Sequence, residues 1–134
     1  MPTVLVDSNV ILDIFTADPA WSEWSSRALR DAADNNRVVI NPIVYSEISV
    51  RFSRIEDIDA ALPSVLEREP IPYEAAFLAG KVFSTYRRRS GNKTAPLPDF
   101  FIGAHAAVSG YTLLTRDTAR YRTYFPALKI IAPA

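Results

Sequence analysis

The 134-residue chain has no cysteine. Disulfides, thiol catalysis and thiolate metal sites are therefore excluded. It also has no excess of either charge: 15 Lys and Arg balance 15 Asp and Glu. A global basic field of the kind that draws in nucleic acid is absent, so any such affinity has to be local. No apolar run approaches the ~20 residues of a membrane span, and none is expected. The N-terminus lacks the basic segment and long apolar stretch of a signal peptide. With the missing cysteine, this is the pattern expected of a cytoplasmic protein. Internal repeats, low-complexity tracts and interdomain linkers are lacking as well. What remains is a globular composition, 49% hydrophobic and 22% charged, at a length that suits a single domain over residues 1–134.

Short β-branched runs alternate with helical patterns. Thr3 to Val6 reads as a buried strand. Ser8 is placed to cap a short helix through Phe15, and Pro19 to open a second helix that stops near Asn35 and Asn36. "RVVI" is a second strand, after which Asn41 caps a helix with Pro42 in its first turn. "RIEDIDAALPSVLERE" reads as helical, broken at Pro63, and "PIPY" as an extended connector or short edge strand. "YEAAFLAGKVFSTYRRR" is a long helix and "SGNKTAPLP" a turn-rich loop. "DFFIGAHAAVSG" is a helix with Asp99 at its start and Gly110 just past its end. "YTLLT" and "KIIA" supply further strands. The alternation predicts an α/β fold: a central, mostly parallel sheet of about four to five strands flanked by helices.

Most of the acids fall on polar stretches, but four do not. Asp7 follows the first strand directly, and Asp117 lies just beyond "YTLLT". The carboxyl ends of parallel strands form the usual binding crevice, so both should face one edge. Glu47 falls within the apolar stripe of Ile43, Val44, Ile48 and Val50, where a carboxylate is costly unless it is paired or ligates a metal. Asp99 opens its helix, with the small Gly103 and Ala106 on its side letting that helix approach the sheet. Taken singly, each acid has an ordinary explanation: a cap for Asp7 and Asp99, a turn for Asp117, an ion pair with Arg51 for Glu47. Jointly, four carboxylates aimed at one place repel one another, and a divalent cation resolves the repulsion. Oxygen donors, with His105 the only histidine, suit Mg²⁺ or Mn²⁺ rather than zinc. Such ions activate water against a phosphodiester.

Other residues have two readings each. Ser8, Asn9 and Thr115 either orient the acids or shape local turns. Arg116 either contacts phosphate or balances a neighbouring acid. Arg87, Arg88, Arg89 and Lys93 form either a phosphate clamp or a cationic helix end favoured by the macrodipole. Tyr45, Tyr86, Tyr121 and Tyr124 either stack on bases or pack, with packing the commoner use. Trp21 and Trp24 belong to the core or to a partner-binding face, and His105 reads as a packed or interface residue.

The ordered set "VLVDSNVILDIF", "NPIVYSEI", "PDFFIGAHAAVSGYTLLTRD" and the closing F-P-x-L-K-I-I pattern resembles the PIN-domain ribonucleases, in particular the VapC-type toxins of toxin–antitoxin pairs. The resemblance spans the chain. It implies a PIN-like three-layer fold and a Mg²⁺-dependent endoribonuclease. The family's acids carry over to Asp7, Glu47, Asp99 and Asp117, and its strand-terminal T-R-D to Thr115, Arg116 and Asp117. It further implies an RNA substrate, an inhibitory antitoxin, a homodimer and toxin–antitoxin hetero-oligomers. Two other classes compete. A haloacid-dehalogenase-type phosphatase also places a nucleophilic Asp after its first strand, but prefers an acid where this chain has Asn9. A non-catalytic dimeric binding module would pair its acids internally.

Overall fold

A computed structural model describes residues 2–90 and 97–134. Five parallel strands form one sheet: β1 (Thr3–Val6), β2 (Arg37–Ile40), β3 (Glu67–Arg68), β4 (Thr112–Leu114) and β5 (Ile130–Ile131), in the order β3-β2-β1-β4-β5. Val4, Leu5 and Val6 are all buried, as are Val38, Val39 and Ile40. Successive strand residues point to opposite faces, so both faces of the central strands are covered and the architecture has three layers. The helices are α1 (Ser8–Phe15), α2 (Ser22–Asn35), α3 (Pro42–Ser49), α4 (Ile55–Ala61), α5 (Tyr73–Ser90), α6 (Leu97–Ser109) and α7 (Ala119–Tyr124).

Several boundaries depart from the sequence reading, each for a local reason. Asp7, not Ser8, caps α1, accepting a hydrogen bond from the Ser8 backbone N–H. Pro19 opens a turn rather than α2. The Asp18 carboxylate accepts from the N–H groups of Ala20 and Trp21 at 2.9 Å each, and the helix proper begins at Ser22. The stretch expected to be helical up to Glu69 instead ends α4 at Ala61, just before Leu62 and Pro63, and its tail forms β3. That strand is two exposed polar residues, held to β2 by the ladder and by Arg37, which bridges Glu67 and Glu69. Nothing in its hydropathy marks it. Asn41 and Pro42 start α3 as expected, with Asn41 Oδ1 accepting from Val44 N at 2.9 Å. Val50 lies past the end of α3 and is 80% exposed, outside the apolar stripe.

Two contacts fix α6, which carries Asp99. Gly103 does not admit the sheet. A Cβ there would stand 2.5 Å from the Phe125 ring, so the glycine makes room for that side chain. Phe100 is fully buried and meets Phe83, Tyr86 and Tyr124 at centroid distances of 5.5–5.7 Å. Such ring contacts contribute about 0.5–1.5 kcal/mol each beyond burial. His105 is buried on the same helix. Asn41 turns its Nδ2 donor towards His105 Nδ1 at 3.1 Å, which makes Nδ1 the acceptor and leaves the proton on Nε2. The packed reading of this histidine fits that arrangement.

Candidate active site

Asp7 sits where β1 ends, its backbone N–H still donating to Leu114 of β4 at 2.9 Å. The side chain is 4% exposed. Oδ1 accepts from Ser8 N at 2.8 Å, and Oδ2 accepts from Thr115 Oγ1 at 2.8 Å and from the Tyr121 hydroxyl at 3.1 Å. Burial pushes its pKa up from 3.8 to about 6; the three hydrogen bonds oppose this, while the charge of Asp99 adds to it. The same acid pair holds the Tyr121 phenol firmly protonated, burial again being the largest cause.

Ser8 links two of the acids. Its N–H serves Asp7, and its Oγ donates to Glu47 Oε1 at 2.9 Å. Glu47 therefore faces α1 across the α1–α3 contact rather than pairing with Arg51 along its own helix. Its pKa is also raised, by burial first and then by the charges of Asp7 and Asp99 against the Ser8 hydrogen bond. Asp99 is the third residue of α6, within its first turn. Asp7, Glu47 and Asp99 thus act on one another as like charges. No Lys, Arg or His among the described residues makes an ion pair with Asp7 or Glu47.

Thr115 follows β4, its N–H donating to Ile131 at 3.0 Å. Its hydroxyl collects the loop around Asp7 by accepting from Asn9 Nδ2 at 3.3 Å and from Asp117 N at 3.1 Å. Asn9 Oδ1 in turn accepts from Arg116 N at 3.2 Å. The structure brings Asp117 in through its backbone, while its carboxylate is exposed and acts on Arg116. The Arg116 guanidinium is committed elsewhere. It forms a two-pronged bridge to the buried Asp13 (2.7 and 2.9 Å) and lies over the Trp21 ring. Ser25 Oγ donates to the same Asp13 at 2.8 Å. Arg87, Arg88 and Arg89 lie exposed on the last turns of α5, and Lys93 falls outside the described residues. Of the tyrosines named as stacking candidates, Tyr121 is buried against Asp7, Tyr86 and Tyr124 pack on Phe100, and Tyr45 donates to Asp59 beneath Arg68.

Sequence reasoning missed Asp13, and it named Tyr121 only as a ring that stacks or packs, without its hydrogen bond to Asp7. Asp13 carries the signal that revealed Glu47, an acid among the apolar positions of a helix, here Val10, Ile11 and Ile14. Tyr121 carries none, because α7 is too short for its periodicity to show which face is buried. Among the described residues no three His, Asp or Glu side chains are grouped closely enough to enclose a metal ion. The acids are neighbours rather than a formed cage.

A model described as PIN domain matches residues 4–126. The chain belongs to the PIN domain family. Solved structures of similar fold include VapBC2 from Rickettsia felis bound to a promoter DNA fragment, with a TM-score of 0.74 and 20% identity over 98% of this chain and 99% of that one. VapBC-1 from nontypeable Haemophilus influenzae follows at 0.71 and 18%, covering 97% of each chain. DNA-bound VapBC from Salmonella typhimurium is at 0.68 and 21%, covering 98% of each. No curated relative matches. For this PIN domain the match takes in Asp7, Glu47, Asp99 and Asp117, all within the matched span.

Proposed function

We propose that this PIN domain is a metal-dependent endoribonuclease, cleaving RNA phosphodiester bonds with an activated water, and that it serves as the toxin of a type II toxin–antitoxin pair. One observation carries the nuclease reading: Asp7 is buried at the sheet's carboxyl edge, within reach of the charge of Asp99 and linked through Ser8 to Glu47, and no Lys, Arg or His among the described residues pairs with Asp7 or Glu47. A divalent cation would supply positive charge to these two carboxylates. Its donors are all carboxylate and hydroxyl oxygens, which fits Mg²⁺ or Mn²⁺. Asp7, Glu47, Asp99 and Asp117 would hold it, Asp7 and Asp99 as foremost direct ligands. When bound, such an ion supplies positive charge beside the phosphodiester and acidifies water.

The chain's own groups then have separable tasks. Thr115 and Tyr121 hold Asp7 Oδ2 and Ser8 holds Oδ1, so the carboxylate cannot rotate. Ser8 also aims Glu47. Glu47, a stronger base than an ordinary carboxylate because burial raises its pKa, is suited to take a proton from the attacking water. Asn9 and Thr115 keep the strand-end loop closed over this arrangement.

The partner reading rests on similarity to VapBC complexes. By it, a cognate antitoxin restrains this chain, which works in the cytoplasm as a homodimer and in toxin–antitoxin hetero-oligomers. Sequencing RNA ends after expression of the wild type and of Asp7→Asn tests the activity. New ends should arise with the wild type alone. Identical end profiles from the two would overturn the proposal.

A further inference from the structure

The cations at the end of α5 have an ordinary explanation in the helix macrodipole, but that effect is confined to the last turn. It does not account for Lys81, or for Tyr73 and Phe77, which are 91% and 69% exposed at the other end of the helix. At ~100° per residue, Tyr73, Phe77, Lys81, Ser84 and Arg88 fall within a sector of about 80°. All five are exposed, and no acid lies among them. Lys81 Nζ stands 5.1 Å from the Phe77 ring centroid, and Arg88 is steadied by Ser84 Oγ at 3.0 Å.

The rest of the surface makes this stripe stand out. Arg27, Arg37, Arg54, Arg68 and Arg116 are each paired with an acid. Among the described residues, Lys81 and Arg87 to Arg89 make no ion pair; Arg30, Arg51, Arg122 and Lys129 make none either, but they are scattered over four other parts of the chain, whereas these four share one helix. In a chain of zero net charge, α5 therefore concentrates uncompensated positive charge and interleaves it with bare aromatic rings.

We infer that the exposed face of α5 is a track for single-stranded RNA, with Tyr73 and Phe77 stacking on bases and Lys81 and Arg88 holding phosphates. RNA as the occupant rests on the nuclease reading. The alternation of ring and cation is what single-strand binding uses, since every base offers a face to stack and every nucleotide a charge. The opposite side of α5 seats the helix on the acid-bearing element: Phe83 and Tyr86 pack on Phe100, the residue after Asp99, which leaves the stripe on the outer face. From Tyr73 to Arg88 the helix rises ~22 Å, enough for about six nucleotides at ~3.4 Å each when stacked.

The test is fluorescence anisotropy with a labelled 12-nucleotide single-stranded RNA of mixed sequence, in EDTA so that nothing is cut, across a salt series. Tyr73→Ala with Phe77→Ala should weaken binding at least tenfold. Lys81→Ala with Arg88→Ala should flatten the slope of log K against log salt by about 1.4, or ~0.7 for each phosphate that is no longer neutralised. Both pairs are exposed, so unchanged melting temperatures confirm that the fold survives. A wild type that binds and cuts RNA, with variants that bind equally well, overturns the track and leaves the nuclease reading standing. A wild type that neither binds nor cuts overturns both. Variants that fall from dimer to monomer in light scattering with RNA affinity intact make the face an interface between copies and overturn the inference.

Discussion

Replacing Asp7 by Asn should make the metal-free protein more stable at neutral pH, although it removes the residue placed at the centre of the site. The folded-state pKa of Asp7 is raised from 3.8 to about 6. Between those values the native state binds more protons than the unfolded chain, so stability is complete below pH ~4 and is lost as pH rises through ~6. At ~1.4 kcal/mol per pKa unit, the loss reaches about 3 kcal/mol at pH 7.5 and about 1 kcal/mol at pH 4.5. Asparagine resembles the neutral acid in shape and escapes the loss. At ~2.1 cal/mol/K of unfolding entropy per residue, 3 kcal/mol corresponds to about 10 °C in Tm. Thermal or urea unfolding in EDTA at the two pH values is the assay. The variant should gain most at pH 7.5, with the gain shrinking towards acid. Millimolar Mg²⁺ should close the gap by stabilising only the wild type, by ~2.7 kcal/mol at a hundred times Kd. A variant no more stable than wild type at pH 7.5, or a gain that grows towards acid pH, would refute the reasoning.

Other perturbations probe the parts around it. Arg116→Ala strands the buried Asp13 carboxylate and should cost ~3 kcal/mol in urea titrations, the low end for a broken buried pair because the guanidinium is 29% exposed. Adding Asp13→Asn should recover part of that loss. Gly103→Ala drives a methyl into the Phe125 ring and should cost about 1–3 kcal/mol, with Phe125→Leu in the same chain relieving it. Ser8→Ala removes the hydrogen bond that opposes the rise in the Glu47 pKa. The acid limb of its pH–rate profile for RNA cleavage should therefore move to higher pH while far-ultraviolet circular dichroism stays unchanged.

Much of this arrangement is legible in the chain because burial leaves patterns. The runs "VLV", "RVVI" and "TLL" announce central strands since both faces of the sheet are covered. Glu47 is conspicuous because an acid on an apolar face needs a reason. The same logic applies to Asp13, whose answer is Arg116, 103 residues away and therefore invisible to local reading. β3 is illegible because it is an exposed edge of two polar residues, specified by pairing with β2 rather than by hydropathy. The start of α2 is misplaced because the Asp18 side chain competes for the backbone donors that Pro19 suggests are already helical. The tyrosines near the acids in sequence are packed, the commoner use of such rings. The exposed rings, Tyr73 and Phe77, lie at the far end of a long helix where composition gives no cue.

The central claim is that Asp7, with Glu47, Asp99 and Asp117, forms a metal-dependent RNA-cleaving site. The rate at which purified protein cuts a structured RNA, measured against Mg²⁺ concentration for the wild type and Asp7→Asn, tests it most directly. The account predicts saturable, Mg²⁺-dependent cleavage by the wild type, abolished by EDTA, and a loss of at least a hundredfold in the variant. Cleavage by Asp7→Asn at the wild-type rate, or wild-type cleavage that persists in EDTA, would contradict it.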